Sequence, residues 1–285
     1  MALVLNGLSI GMLLFLLAAG LTLVFGLLGV VNFAHGSLYM LGAYAAFEVV
    51  RWTDSFWLAL VIAPLLVGLA GAVMERFALR PLYARDHSYQ LLLTFGCILV
   101  IEEFTRMVWG VDFKAVSPPA LLAGTTEVAG SVVTDYRLFI IVFGAIVSGL
   151  LFYVIEKTRV GVVVRAASQN SAMVSCLGID VGKVRTSVFV VGAMLAALSG
   201  VVSAPLLPLK LGMSFSIIID CFIVVVLGGL GSIRGAIFGA LVIGMSRALG
   251  QVYAADLMLL LTYALLIGTL IVRPEGLFSV RRRSA

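Results

Sequence analysis

The sequence alternates between long apolar runs and short polar stretches from its beginning to its end. About 20 consecutive apolar residues form a helix long enough to cross the hydrocarbon layer of a bilayer. The strands of a membrane barrel would instead alternate at every second residue. The pattern therefore predicts eight or nine membrane segments and an all-α, polytopic membrane protein. The predicted segments are 5–30, 37–50, 56–75, 89–109, 138–155, 185–206, 216–231, 235–250 and 257–272.

Three of the predicted segments are short. Segments 37–50, 216–231 and 235–250 contain 14, 16 and 16 residues, fewer than a helix needs to cross a bilayer alone. We expect one or more of them to be half-helices that other parts of the protein shield from lipid. The whole chain, 1–285, is predicted to form a single transmembrane domain.

The composition excludes soluble proteins and receptors with one membrane span. Of the 285 residues, 62% are apolar and 12% are charged, and the mean hydropathy is +1.18. Soluble domains average about 45–50% apolar and about 25% charged residues. Cys97, Cys176 and Cys221 are scattered, so neither a disulfide framework nor a metal site is predicted.

The basic residues predict the orientation of the chain. Cytoplasmic loops of membrane proteins carry an excess of Lys and Arg, whereas the loop 110–137 has three acidic and two basic residues. We therefore expect this loop outside, the C-terminus in the cytoplasm and, with nine crossings, the N-terminus outside. The net charge of +5 follows from this topology, and no nucleic-acid partner is predicted. The residues in the three basic regions are Arg76, Arg80 and Arg85; Lys157, Arg159, Arg165, Lys183 and Arg185; and Arg273, Arg281, Arg282 and Arg283.

Glycines and polar residues interrupt the apolar pattern at Gly26–Ser37 and at Gly228–Gly235. Glycine weakens a helix by about 1 kcal/mol relative to alanine, so clusters of glycine indicate breaks, turns or close backbone approach. Interrupted segments are typical of transport sites, and close helix packing through small residues is the alternative. The glycines alone favour packing, and Asn32 and His35 beside the first break make the two interpretations equally compatible with the sequence. For His35, a bond to a helix end is equally compatible with the sequence.

The loop Glu156–Arg185 is longer than a turn between two membrane helices requires. Within it, Val164, Ala167, Val174 and Leu177 recur at helical spacing. We predict an amphipathic helix between Gly161 and Gly178, the second glycine placed as a C-terminal cap. Such a helix lies on lipid headgroups or fits a groove on a partner. Its single internal arginine favours docking to a partner.

Other charged residues within or beside apolar runs have structural explanations. Asp220 precedes an apolar run, where we predict that it caps a helix from the outer surface. Arg247 is predicted to contact a second membrane chain or to turn towards the membrane interface. Glu48 and Arg51 are spaced to form a solvated ion pair on a helix.

Three stretches are similar to one known family. They are Gly20–Tyr44, which contains Asn-Phe-Ala-His-Gly-Ser; Thr158–Ile179; and Val226–Ala236, which contains Leu-Gly-Gly-Leu-Gly-Ser. In this order and hydropathic context, the chain resembles the membrane permeases of bacterial ABC importers for branched-chain amino acids. The resemblance implies the ABC importer permease fold and a multi-pass location in the bacterial inner membrane.

The resemblance also implies partners. This chain would pair with a second permease, usually a related but different chain, and with two cytoplasmic ATPases and an extracytoplasmic solute-binding protein. ATP and Mg²⁺ would bind to the ATPases, and no cofactor would bind to this chain. No catalytic site is predicted, because the chain has no Walker motif, no nucleophile with its base and no metal-ligand spacing.

Two sets of residues follow from the resemblance. The loop 158–180 would hold the coupling helix that docks on an ATPase. The translocation pathway would run between two permease chains, near the two breaks. The coupling residues are Gly161, Arg165, Ala166, Gln169, Ala172, Leu177 and Gly178. The pathway residues are Asn32, His35, Gly36, Ser37, Gly228, Gly231, Ser232 and Arg234.

Other functions remain as alternatives. A secondary transporter coupled to an ion gradient usually carries carboxylates within the membrane, and only Asp220 is a weak candidate. An intramembrane enzyme would need clustered polar residues, yet the sequence has only two histidines, His35 and His87. Among importers, urea, short amides and aromatic carboxylates are alternative substrates, whereas the resemblance favours leucine, isoleucine and valine.

Overall fold

The computed structural model describes residues 1–29, 31–83, 85–128, 130–253, 258–273 and 276–278. The described chain is mainly helical and contains one β-hairpin, in which β1 and β2 pair antiparallel with Thr125 opposite Thr134. A π-helical turn (Glu75–Leu79) and a 3-10 turn (Arg80–Leu82) extend α3. The helices and strands are α1 (Ala2–Leu28), α2 (His35–Thr53), α3 (Phe56–Met74), α4 (His87–Trp109), β1 (Thr125–Val128), β2 (Ser131–Thr134), α5 (Asp135–Lys157), α6 (Arg159–Gln169), α7 (Ser171–Cys176), α8 (Val181–Ser203), α9 (Met213–Gly228), α10 (Ile233–Tyr253) and α11 (Met258–Val272).

Each of the nine predicted membrane segments corresponds to one helix, which confirms a polytopic helical protein. Five helices of the described chain are long and apolar enough to cross a membrane: α1, α3 with its extension, α5, α8 and α10. The predicted length is wrong for two of the three short segments, because α2 has 19 residues and α10 has 21. Their helices begin earlier than the apolar runs, at His35 and Ile233. Of these three segments, α9 remains short, with 16 residues.

α1 lies at the centre of the bundle. Its residues from Leu14 to Val24 are all buried, as expected for a helix that is apolar on every side. Small residues allow its neighbours to approach closely: Gly11 faces the Ala240 backbone of α10, and Gly20 faces the Gly192 carbonyl of α8. This close packing places α1 between α8 and α10.

The bundle has two distinct ends. At the hairpin end, which carries residues 110–134, Asn6 of α1 receives a hydrogen bond from Arg137 and donates one to Gln251. At the opposite end, which we call the loop end because it carries α6 and α7, Gly26 of α1 lies against Gly231. α1 and α10 are therefore antiparallel and extend between the two ends.

The described basic regions lie together at the loop end. The Arg185 guanidinium lies 5.3 Å from the centroid of the Tyr83 ring, and Arg80 contacts Gly182. Gly276, three residues after Arg273, packs against Gly229. The basic regions are thus separated from the loop 110–137, as predicted. Arg281, Arg282 and Arg283 lie outside the described residues.

Candidate functional site

The first break turns the chain back into the bundle. Gly29 ends α1 in the left-handed conformation, with φ of 69°, and its N–H donates to the Phe25 carbonyl. Only glycine adopts this conformation without strain. Asn32 then prepares the start of α2, because its Oδ1 accepts a hydrogen bond from the Ala34 N–H at 3.1 Å. Its backbone carbonyl accepts from the His35 N–H at 3.2 Å.

His35 places the start of α2 midway between the two ends. Its Nε2 atom lies 3.0 Å from the carbonyl oxygen of Leu17, near the middle of α1. A carbonyl only accepts, so Nε2 carries the proton. The fully buried ring also fills the space next to Gly20, where an added Cβ would lie 2.9 Å from it. α2 therefore begins inside the protein and runs to the hairpin end, where Glu48 accepts a hydrogen bond from Trp109 at 3.2 Å.

The other candidates at this break are also internal. Gly36 lies against the Ser214 carbonyl and the Ile218 side chain of α9, which leave no room for a side chain. Ser37 is fully buried, and its Oγ has no hydrogen-bond partner among the described residues. Together with Asn32 and His35, these residues hold α2 against α1 and α9 within the chain itself.

The second break is a glycine turn between α9 and α10. Gly229 and Gly231 have φ of 103° and 82°, a region that side chains disfavour. Gly228 and Gly235 pack backbone to backbone, with no space for a Cβ on either. Ser232 caps α10, because its Oγ accepts a hydrogen bond from the Gly235 N–H at 3.1 Å. The predicted break is thus a tight turn.

The loop helix is divided in two, which corrects the prediction of one helix between Gly161 and Gly178. α6 begins at Arg159, where the Thr158 side chain accepts a hydrogen bond from the Gly161 N–H at 3.3 Å. Asn170 interrupts the helix, because its Oδ1 accepts from the Met173 N–H at 2.9 Å and starts α7 instead. Asparagine favours such local caps over the helix interior. Gly178 follows α7 with φ of 80°, as predicted for a cap.

One face of α6 and α7 packs on the bundle and the other is exposed. Of the four apolar residues at helical spacing, Val164, Ala167 and Val174 pack on the bundle, whereas Leu177 is 73% exposed. Gln169 and Ala172 are exposed, and Arg165 and Ala166 are partly buried. The large apolar residues exposed on these two helices and just after α7 are Val160, Val162, Met173 and Leu177.

The loop approaches the bundle closely at Gly161. The carbonyl groups of Val154 and Ile155 occupy the position that a Cβ at Gly161 would need. Arg165 donates a hydrogen bond to the Ile155 carbonyl, and Thr158 Oγ1 donates to the Val154 carbonyl at 2.6 Å. α6 is therefore fixed to the last turns of α5.

A cavity of about 1090 Å³ at the loop end brings the two predicted sets of residues together. Coupling residues Arg165 and Gln169 line it beside pathway residues Gly231, Ser232 and Arg234. The four candidates of the first break do not line it, although Gly26 does. Its full lining is Thr22, Leu23, Phe25, Gly26, Leu27, Phe152, Ile155, Glu156, Val164, Arg165, Ser168, Gln169, Leu230, Gly231, Ser232, Ile233 and Arg234.

Sequence reasoning missed Glu156, which lies at the centre of the charged side of this cavity. Its carboxylate is 3.9 Å from Arg165 and 3.5 Å from Arg234. The Arg234 guanidinium also lies 5.2 Å from the centroid of the Phe152 ring. The only sequence signal was the spacing of four residues between Phe152 and Glu156, which places both on one face of α5.

Asp220 does not cap a helix. α9 begins seven residues earlier, at Met213, and Asp220 pairs with Arg247 of α10. The two side chains are 16% and 18% exposed, so the pair is largely shielded. The Arg247 guanidinium turns towards α9, so its pair with Asp220 accounts for it within the chain, and contact with a second chain stays a prediction. Glu48 and Arg51 form the predicted exposed pair at 3.5 Å.

The start of α8 has a charged cap. Asp180 accepts a hydrogen bond from the Lys183 N–H at 3.1 Å, and this bond is the main cause that lowers the pKa of its carboxyl. The Lys183 ammonium and Arg80 act in the same direction. Among the described residues, no three His, Cys, Asp or Glu side chains come together to hold a metal ion.

The chain matches one protein family over nearly its whole length. A family model described as branched-chain amino acid transport system, permease component, matches residues 3–270. The chain is 31% identical to the high-affinity branched-chain amino acid transport system permease protein BraD of Pseudomonas aeruginosa, over 95% of this chain and 93% of that protein. Identity and coverage are the same for the high-affinity permease protein LivH of Escherichia coli.

A second kind of relative is more distant. The chain is 25% identical to the high-affinity branched-chain amino acid transport system permease protein LivM of Escherichia coli, over 96% of this chain and 69% of that protein. No solved structure matches the chain. The family match and the 31% identical relatives confirm the resemblance inferred from the three stretches.

Proposed function

The chain belongs to the family of permease components of branched-chain amino acid transport systems, and from this premise we propose that it is the membrane subunit of an ATP-driven importer for leucine, isoleucine and valine. The names of the 31% identical relatives support this substrate class. ATP and Mg²⁺ bind to separate ATPase subunits, so this chain carries no catalytic site and no cofactor. It binds, orients and releases the substrate.

The exposed apolar side chains on α6, on α7 and just after α7 are the observation that carries the proposal. Val160, Val162, Met173 and Leu177 are exposed at one end of the bundle, although α6 is fixed to α5 on its other face. An apolar patch on a helix fits a groove on a partner. Each of two cytoplasmic ATPases binds to one permease chain. This chain binds its ATPase through the loop 158–180, and Gln169 and Ala172 belong to the exposed surface that makes the contact.

This docking sets the orientation. The loop end faces the cytoplasm of the bacterial inner membrane, in agreement with the basic residues collected there, and the C-terminus is cytoplasmic. The hairpin end faces outward and receives the solute-binding protein. The similarity to LivM supports a second, related permease chain as the partner within the membrane.

The translocation pathway runs between the two permeases, and the loop-end cavity forms part of its inner mouth. Gly231, Ser232 and Arg234 line this mouth, and Gly228 allows the turn behind them. Asn32, His35, Gly36 and Ser37 act at the start of α2. When ATP closes the ATPases, the docked helices move, and tightly packed helices respond by changing between discrete arrangements.

Substrate-stimulated ATP hydrolysis tests the proposal. The reconstituted complex, with the binding protein encoded beside this gene, is assayed with leucine, urea and an aromatic carboxylate. We expect stimulation by leucine alone. Stimulation by another ligand only would keep the ATP-driven mechanism and reject the substrate, and an intact complex that no ligand stimulates would contradict the proposal.

A further inference from the structure

One carboxylate connects the loop helix to the start of α10. Glu156, at the end of α5, lies between Arg165 of α6 and Arg234 of α10, at 3.9 Å and 3.5 Å. Arg234 is held a second time, over the ring of Phe152. We call Phe152, Glu156, Arg165 and Arg234 the clamp.

The clamp moves with α6. The Thr158 hydroxyl donates to the Val154 carbonyl at 2.6 Å, and Arg165 donates to the Ile155 carbonyl. The Gly161 backbone packs directly on the same two carbonyl groups. With three contacts between Thr158 and Arg165, a displacement of α6 carries the last turn of α5 with it.

On its other side, the clamp holds a residue next to the glycine turn. Arg234 lies between Ser232, which caps α10, and Gly235, which packs on the backbone of Gly228. Gly229 and Gly231 in this turn have φ of 103° and 82°. Residues at the ends of elements that absorb changes in φ and ψ are typical hinges. A displacement of Arg234 therefore acts on the start of α10, beside glycines whose φ and ψ angles can change.

The contacts of the clamp are weak enough to be reversible. Arg234 is 62% exposed at its side chain, and Glu156 is 37% exposed. Exposed ion pairs contribute little to folding stability. An element that changes between two arrangements needs contacts of modest strength, because the two states must remain close in free energy.

We propose that Glu156 and Phe152 transmit the movement of α6 to α10 through Arg234. The three are positioning residues, since they act on the Gly228–Gly235 turn, and Arg234 does so in addition to lining the proposed inner mouth. The inference rests on the proposed function, because it requires an ATPase docked on α6. It adds to that function a specific route within one permease chain.

The test measures leucine uptake per ATP hydrolysed by the complete complex in proteoliposomes. For Arg234→Ala and for Glu156→Gln, which preserves the shape of the side chain, we expect this ratio to fall by about 3- to 10-fold, as one ion pair and one cation–π contact allow. The ATPases should co-purify with both variants at the wild-type level. Because the two residues share a contact, the double variant should be no worse than the more affected single variant.

Lys183→Ala is the matched control. Lys183 forms an exposed pair with Asp180 at 3.7 Å in the same basic region, but this pair does not connect α5 to α10. The Lys183→Ala variant should therefore show the same ratio of leucine uptake to ATP hydrolysis as the wild type. Arg234→Lys keeps the charge and should retain part of the ratio.

Four results would overturn the clamp. The first is a wild-type ratio of uptake to hydrolysis in Arg234→Ala, and the second is additive losses of this ratio in the double variant. The third is an equal loss of the ratio in Lys183→Ala. The fourth is loss of the ATPases from purified Arg234→Ala, which would make Arg234 a docking residue. If the wild-type complex itself shows no ATP-driven uptake, the proposed function fails, and the clamp fails with it.

Discussion

His35 joins the start of α2 to the middle of α1, because its Nε2 atom donates a hydrogen bond to the Leu17 carbonyl. The sequence identified His35 as unusual beside a break and left two roles open. The bond to α1 accounts for its burial, whereas its place in the pathway remains a proposal. The partner could not be predicted, since Leu17 is one of many apolar residues of α1 and only the fold places its carbonyl next to the ring.

Replacing His35 with alanine should destabilise the protein. The change removes a buried hydrogen bond and leaves a cavity beside Gly20, and together these cost about 2–4 kcal/mol. We expect a lower melting temperature of the purified permease. The control is His87→Ala, because His87 is exposed at the start of α4 and its loss should leave the melting temperature unchanged. An unchanged melting temperature in His35→Ala would contradict this role, and normal uptake would remove His35 from the pathway.

At the scale of the elements, the ion pair of Asp220 and Arg247 joins α9 to α10. Removing one partner leaves the other charge largely shielded and unpaired, which costs about 3–5 kcal/mol for a fully buried pair and less here because both side chains are partly exposed. We therefore expect Arg247→Ala to lower the free energy of unfolding by about 1–3 kcal/mol in denaturant titrations.

The matched control for this pair is Arg106→Ala, which removes the exposed Arg106–Glu103 pair at 2.7 Å. It should change the free energy of unfolding by less than about 0.5 kcal/mol. Replacing Asp220 and Arg247 together with apolar residues should restore most of the lost stability. Equal losses in Arg247→Ala and Arg106→Ala would contradict the role of the pair.

The contact of α6 with α5 depends on Gly161. Gly161→Ala places a Cβ against the carbonyl groups of Val154 and Ile155, and overpacking of this kind costs about 1–3 kcal/mol. We expect α6 to be displaced and the amount of co-purified ATPase to fall by about tenfold. Gly149→Ala in α5 is the control, because no atom lies within 4 Å of the added Cβ. If the ATPases co-purified with Gly161→Ala at the wild-type level, the proposed dependence of ATPase docking on the contact between α6 and α5 would be contradicted.

The sequence predicted the elements better than their ends and contacts. Each apolar run located one helix of the described chain, because burial in a membrane requires continuous hydrophobicity. The starts of α2 and α10 were missed because both helices extend through polar residues, His35 and Arg234. The division at Asn170 was missed because it depends on a local side-chain hydrogen bond. Glu156 and Arg234 are 78 residues apart, so their contact depends on the fold.

At the scale of the whole molecule, two predicted features converge at one end. The loop helix and the glycine turn, predicted from different stretches, line a common cavity of about 1090 Å³. The proposed docking surface and the proposed inner mouth are therefore parts of one region, and no long connection through the bundle is needed between them. This arrangement is what a subunit driven by a separate ATPase requires.

The most direct test of the account is the energy source of leucine uptake in proteoliposomes that contain the whole complex. We predict uptake when ATP is enclosed on the side of the ATPases, and none with a proton gradient alone. Uptake driven by the gradient without ATP would contradict the account and favour an ion-coupled transporter.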